Sequence, residues 1–184
     1  MNCKRLVQII GWLAMDTSKV LLNDNELVVT YGASTKEQRA AWYEQFKIDA
    51  EDQDNTVLHP DLFIEVSCPL YEMWENGNLV GLLNLGVSKE TKQGSTTFCI
   101  NVEAVMLIAA ARGRGLSAIL GDTAAEHIAT TYQLDKISFD DNYIVYVMAD
   151  LLSEEGERFV EVFYDELCSF NRDSDRLFHW SWGF

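Results

Sequence analysis

Apolar and polar positions alternate along this chain in two distinct periods, and together they predict most of its elements. Leu70-Tyr71-Glu72-Met73-Trp74 and Leu79 to Val87 flank the turn residues Glu75-Asn76-Gly77-Asn78. Asn-Gly between two such runs predicts a β-hairpin, with Tyr71 in the core and Glu72 on the surface. A turn-rich stretch, Ser88 to Ser95, leads into Ile100 to Ile108, long and β-branched enough for a central strand. Leu116, Ile119, Leu120, Ala124 and Ile128 then recur at helical spacing, so a helix begins at or just after Gly115. The next strand falls at Lys136-Ile137-Ser138-Phe139 or at Tyr143 to Met148. Phe159, Val160, Phe163, Tyr164, Leu167 and Phe170 give one face of a helix over Glu154–Phe170. The alternating run Leu177 to Phe184 predicts a closing strand. Nearer the N-terminus, Ser34-Thr35-Lys36-Glu37 has the form of a capping box, and Ala40, Trp42, Tyr43, Phe46 and Ile48 fill out a helix behind it.

The most informative segment is Arg112-Gly113-Arg114-Gly115-Leu116-Ser117, lying between the central strand and the Ala-rich helix. A strand, a short glycine-bearing turn and a helix start together form an anion site. Glycines admit close backbone approach, the first N–H groups of the helix are unpaired, and the dipole favours negative charge. Arg112 and Arg114 are placed to add charge-assisted contacts. The dinucleotide fingerprint does not fit, because its third glycine position is Ala118 and the acids about twenty residues on, Asp135 and Asp140, end no second strand. A Walker phosphate loop is absent, since no Gly-Lys-Ser/Thr occurs.

The segment resembles the acetyl-CoA pyrophosphate loop of the GCN5-related N-acetyltransferases, Gln/Arg-x-x-Gly-x-Gly/Ala, as Arg112-x-x-Gly115-x-Ser117. Ser117 replaces the final Gly/Ala, a small-for-small change. The hairpin, the meander into a central strand, the helix after the loop and the later helix follow that family's order over about residues 25–184. Phe163-Tyr164-Asp165-Glu166-Leu167-Cys168-Ser169-Phe170 looks like the family's Tyr-x-x-Leu-Gly-Phe with one residue inserted. Glu157 stands where the family usually carries an Asn. The resemblance implies an α/β fold with a mixed, mostly antiparallel central sheet flanked by helices and acetyl-CoA in a cleft between central strands. It implies a single domain over 1–184, with 1–24 an extension or first element, and two helices over about 33–68 that shape the acceptor site.

Its implied site follows. The strand around Leu107, Ile108 and Ala109 pairs with the pantetheine arm, and an N–H near Leu107 faces the thioester carbonyl. Arg112, Gly113, Arg114, Gly115, Leu116 and Ser117 wrap the pyrophosphate, and Tyr164 protonates the departing thiolate. Glu103, four residues before Leu107, is the candidate base. Period-two alternation puts Glu103, Val105 and Leu107 on one face, where apolar neighbours would raise the carboxyl pKa.

Charge and cysteines then narrow the setting. A net charge of −15 over 184 residues repels phosphate backbones and anionic membranes, so no direct nucleic-acid or membrane binding is expected. It suits a cationic acceptor: a small amine, or a lysine or N-terminus of a basic protein. The alternative is a non-catalytic acidic protein that binds a basic partner. Cys3, Cys68, Cys99 and Cys168 form no Cys-x-x-Cys pair, and His59, His127 and His179 keep no ligand spacing with them. No metal is expected, and a reducing, cytoplasmic compartment is. Lys4-Arg5 before Leu6 to Met15 mimics a short signal sequence but contains Gln8 and is too short to span a bilayer. Phe178, Trp180, Trp182 and Phe184 would suit a dimer seam if exposed, or a plain edge strand if packed on the core.

Overall fold

The computed structural model describes residues 19–24, 26–50, 62–64, 66, 68–138, 142–149, 154–171 and 177–182. Cys3, the stretch from Lys4 to Met15, His59 and Phe184 lie outside them. Seven strands form one sheet in sequence order: β1 Lys19–Asp24, β2 Leu27–Tyr31, β3 Tyr71–Glu75, β4 Asn78–Lys92, β5 Ser95–Leu107, β6 Tyr143–Ala149 and β7 Phe178–Trp182. Neighbours from β1 to β5 are antiparallel, while β5–β6 and β6–β7 are parallel. Parallel neighbours need crossovers, and α2 (Leu116–Tyr132) and α3 (Glu154–Ser169) supply them; α1 (Lys36–Ala50) joins β2 to β3.

The helices take opposite faces. Leu120, Ala124 and Ile128 of α2 and Phe159, Phe163 and Leu167 of α3 share one core with Leu83, Phe98, Ile100, Val145 and Val147 of the sheet. On the other face Trp42 and Phe46 of α1 pack with Phe63, Leu70 and Leu82. The mixed α/β sheet expected from the chain is therefore present. No described helix is long and apolar enough to cross a membrane.

Two local expectations change, and alternatives left open by the sequence are decided. Ser88 to Ser95 is mostly strand: β4 and β5 stay paired to Lys92↔Ser95. Only Gln93 and Gly94 turn, at φ 51° and 82°, the two-residue positive-φ loop that matches strand twist. The strand after α2 is β6, while Leu134–Lys136 closes a 3-10 turn and 137–138 are not strand. The capping box is shifted by one residue. Gln38 N–H donates to Thr35 Oγ1 at 3.2 Å, and Thr35 N–H donates to Gln38 Oε1 at 2.8 Å. Of the two helices expected over 33–68, the described residues contain α1. At Phe178 and Trp180 the aromatic tail is packed on the core as an edge strand. Phe178 is buried, and Trp180 is half-buried against the Tyr164 ring.

Candidate functional site

Among the described residues, the central strand β5 ends next to a gap. Its pairing with β6 runs from Thr96↔Tyr143 to Val102↔Ala149, and β5 itself continues to Leu107. Beyond Val102 no described strand lies on that edge. At the end of β5 the Ile108 N–H donates to the Val80 carbonyl at 3.0 Å on the β4 side. Since successive peptide groups in a strand point to opposite edges, the Leu107 N–H and carbonyl point toward the gap.

The loop then turns into α2. Ala109–Ala111 form one 3-10 turn, with the Ala111 N–H donating to the Ile108 carbonyl and the Arg112 N–H to the Ala109 carbonyl. Gly113 and Gly115 sit at φ 68° and 76°, left-handed conformations that cost a side-chain-bearing residue about 1–2 kcal/mol. No atom lies within 4 Å of where a Cβ would stand at either. Their role is conformational, and the space over them is open. Gly115 caps α2, whose first backbone bond across the cap runs from the Ile119 N–H to the Gly115 carbonyl. Residues 112–115 form a turn, and none of the N–H groups of Gly113 to Ala118 makes a backbone hydrogen bond of good geometry among the described residues. Such a run of donors, at the positive end of a seventeen-residue helix, is an anion site in chemical terms.

Neither arginine faces that open space. Arg112 folds back along the strand end, its Nε–H donating to the Leu107 carbonyl at 3.0 Å and its guanidinium lying 5.5 Å from the centre of the Phe46 ring of α1. Arg114 forms a two-point pair with Glu75 at the hairpin turn, at 3.0 and 2.5 Å. The guanidinium lowers the Glu75 pKa and the carboxylate raises that of Arg114, chiefly through those hydrogen bonds. The Arg114 guanidinium is thus engaged by Glu75 and the Arg112 Nε–H by the strand end, with the first-turn N–H groups of α2 as further donors beside them. Leu116 is buried under the sheet and Ser117 is half-buried in the first turn of α2.

Glu103 is placed differently from what alternation predicts. The ladder between β4 and β5 jumps from Leu85↔Val102 to Asn84↔Ala104, which leaves Glu103 as the extra residue of a β-bulge. The bulge reverses the parity of the strand. Before it Phe98, Ile100 and Val102 face α2 and α3; after it Val105 and Leu107 do so, while Ala104 and Met106 face α1. Glu103 therefore looks to the α1 face, opposite Leu107. It is exposed there and accepts a hydrogen bond from the Asn101 side-chain amide, in place of the apolar enclosure expected. It raises the pKa of Cys68, whose thiol is pushed up mainly by burial.

Tyr164 is not brought to the others. Its hydroxyl donates to the Phe178 carbonyl at 3.2 Å. Phe178 pairs with Val145, and Val145 with Phe98. That level of the sheet is nine residues from Leu107, roughly 30 Å at about 3.3 Å per residue.

Two features escaped the sequence. Glu72, expected on the surface, is fully buried on the α1 face. Its carboxylate accepts the Thr30 hydroxyl at 2.6 Å, the Ala33 N–H at 2.9 Å, the Ser34 N–H at 2.8 Å and the Ser34 hydroxyl at 2.5 Å. It thereby fastens the turn from β2 into α1. A groove of about 610 Å³ also opens between α1 and the hairpin, lined by Gln38, Trp42, Gln45, Trp74, Leu79 and Ile108. It shares Ile108 with the segment that leads from β5 into the loop. Ala104 and Met106, packed against the α1-side core, lie between its Ile108 end and Glu103 along β5. Among the described residues no three His, Cys, Asp or Glu side chains gather as a metal site.

No known protein family matches the chain by sequence, and no curated protein does. Among solved structures its fold is similar to that of acetyltransferases. A ribosomal-protein-alanine N-acetyltransferase from Brucella melitensis biovar Abortus 2308 is 16% identical, over 73% of this chain and 89% of that one, with TM-score 0.47. An aminoglycoside acetyltransferase from an uncultured soil metagenomic sample, in complex with sisomicin, is 14% identical over 76% and 88%, with TM-score 0.43. A mutant of the toxin AtaT, bound to the C-terminus of the antitoxin AtaR and acetyl-CoA, is 15% identical over 74% and 82%, with TM-score 0.43. All three scores are below 0.5, so the functional reading rests on this chain's own residues.

Proposed function

We propose that the chain is a GCN5-related N-acetyltransferase. More particularly, we read it as an acetyl-CoA-dependent enzyme that acetylates a primary amine of a cationic acceptor. The observation that carries this is the run of N–H groups from Gly113 to Ala118 without a backbone acceptor of good geometry, at the end of a central strand along whose far edge no described strand pairs beyond Val102. A pyrophosphate fits such donors, and an extended amide-bearing arm fits the edge of a strand. When bound, acetyl-CoA supplies an acetyl group activated as a thioester.

The chain's own residues then bind, orient and move a proton. Gly113, Arg114, Gly115, Leu116 and Ser117 hold the pyrophosphate through backbone N–H groups and the helix dipole. Leu107, Ile108 and Ala109 line the arm, with the Leu107 N–H turned to the gap as a donor to developing negative charge on a carbonyl oxygen. Arg112 fixes the strand end by holding the Leu107 carbonyl. Glu103, on the α1 face, takes the proton from the acceptor ammonium. Tyr164 has no part in this scheme, because its hydroxyl is spent on β7. The net charge of −15 favours a cationic acceptor, whether a polyamine or a lysine or N-terminus of a basic protein.

The same charge favours the second reading, an acidic protein that binds a basic partner without transfer. Calorimetric titration with acetyl-CoA separates the two. Micromolar binding by the wild type, lost in Gly115→Glu with its thermal melt still cooperative, supports the transferase. No binding at millimolar acetyl-CoA sinks it and favours the acidic binder.

A further inference from the structure

The carboxylate of Glu103 is held, although it lies at the surface. Asn101, two residues back, shares its face by ordinary strand alternation, and its Nδ2 donates to Glu103 Oε1. Across the β4–β5 ladder from Asn101 stands Gly86. A Cβ there would lie 3.5 Å from Glu103 Oε1 and 3.7 Å from the Asn101 Cβ. The glycine thus leaves a trough over β4 in which both polar side chains lie. A methyl group would fit at ordinary contact distance, but a branched side chain would displace the carboxylate. The titratable group that faces it from the segment before β3 is Cys68, and Arg39 of α1 acts on Cys68 in the opposite sense to Glu103.

We propose that Asn101 and Gly86 are positioning residues for Glu103, the amide fixing one carboxylate oxygen and the glycine making the room, so that the base meets an acceptor amine on the α1 face in one orientation. The proposal rests on the transferase reading and adds to it how the base is held. The chemistry is that of oriented proton transfer. A proton leaves the acceptor ammonium nitrogen for a Glu103 oxygen, and the nitrogen lone pair so released is the nucleophile. An amide donor to a carboxylate favours its charged form and restricts its rotamers.

The test reads the carboxyl directly. In protein labelled with ¹³C-glutamate, the Glu103 carboxyl signal is assigned by its loss in Glu103→Gln and followed against pH. In Asn101→Leu it titrates about half a unit to one unit higher than in wild type, and in Asn101→Asp higher still through like-charge repulsion. Gly86→Val shifts the resonance without touching the hydrogen-bond donor. With spermidine as the acceptor probe, kcat/KM falls about tenfold in Asn101→Leu, the acid limb of its pH profile moves up with the carboxyl, and acetyl-CoA affinity is unchanged. A Glu103 carboxyl unmoved in both Asn101 variants overturns the proposal, as does a moved carboxyl with an unmoved acid limb. Failure of the wild type to bind acetyl-CoA overturns the transferase reading instead, and the carboxyl titration still decides whether Asn101 holds Glu103.

Discussion

Replacing Glu72 separates two costs that are usually measured together. Glu72→Leu removes both acceptor oxygens from a fully buried site. The Thr30 and Ser34 hydroxyls can rotate to other partners, but the Ala33 and Ser34 N–H groups are fixed by the turn and lose their acceptor. Each buried unsatisfied donor costs about 1–3 kcal/mol, so the variant is destabilised by about 4 kcal/mol. Glu72→Gln keeps one oxygen. Whichever way the amide is turned, its NH₂ faces one of the two N–H groups, so one donor is orphaned and the cost is about 2 kcal/mol. Urea unfolding followed by tryptophan fluorescence gives both numbers, provided that the m-value is unchanged. Equal losses in Gln and Leu, or a Gln loss below about 0.5 kcal/mol, would refute the reasoning that fixed backbone donors set the cost.

Three further outcomes are expected. Gly113→Ala and Gly115→Ala each lower unfolding stability by about 1–2 kcal/mol, although nothing crowds their Cβ, because both sit at positive φ; a urea midpoint equal to wild type would contradict this. His127 is 8% exposed, accepts or donates at 3.1 Å to the Tyr71 hydroxyl, and burial lowers its pKa from 6.5 to about 4. Its contribution is therefore complete above pH 6.5 and is lost as pH falls toward 4. The unfolding free energy of wild type relative to His127→Asn drops by roughly 3 kcal/mol from pH 7.5 to 4, and a pH-independent difference would exclude it. Glu75→Gln releases Arg114 from its two-point pair, so acetyl-CoA binding measured by calorimetry tightens several-fold, most at low salt; weaker binding would show that the pair is needed to shape the loop.

The elements were legible where local chemistry decides them. Asn76 and Gly77 take φ 48° and 78°, as their hairpin turn requires, and the glycines at 113 and 115 stand where the strand-to-helix turn needs them. What escaped depends on register and on partners distant in sequence. A bulge at Glu103 is one skipped residue in the ladder, and no apolar pattern marks it, yet it moves the carboxylate to the other face. Glu72 sits in a strand like any outward acid; the four groups that bury it come from residues 30–34, about forty positions earlier. Tyr164 lies on the helix foreseen, but β7 pairs in a register that carries its hydroxyl partner to the far end of β5. The arginines of the loop were read from proximity in sequence, whereas Phe46 and Glu75 claim them in space.

The central claim is that the backbone of the loop after β5 receives the pyrophosphate of acetyl-CoA. Amide ¹H–¹⁵N spectra of the labelled protein during titration with acetyl-CoA test it most directly. The account predicts that the largest shifts, downfield as N–H groups gain charged acceptors, fall on Gly113, Arg114, Gly115, Leu116 and Ser117. Saturating binding that leaves those five amides unmoved would contradict it.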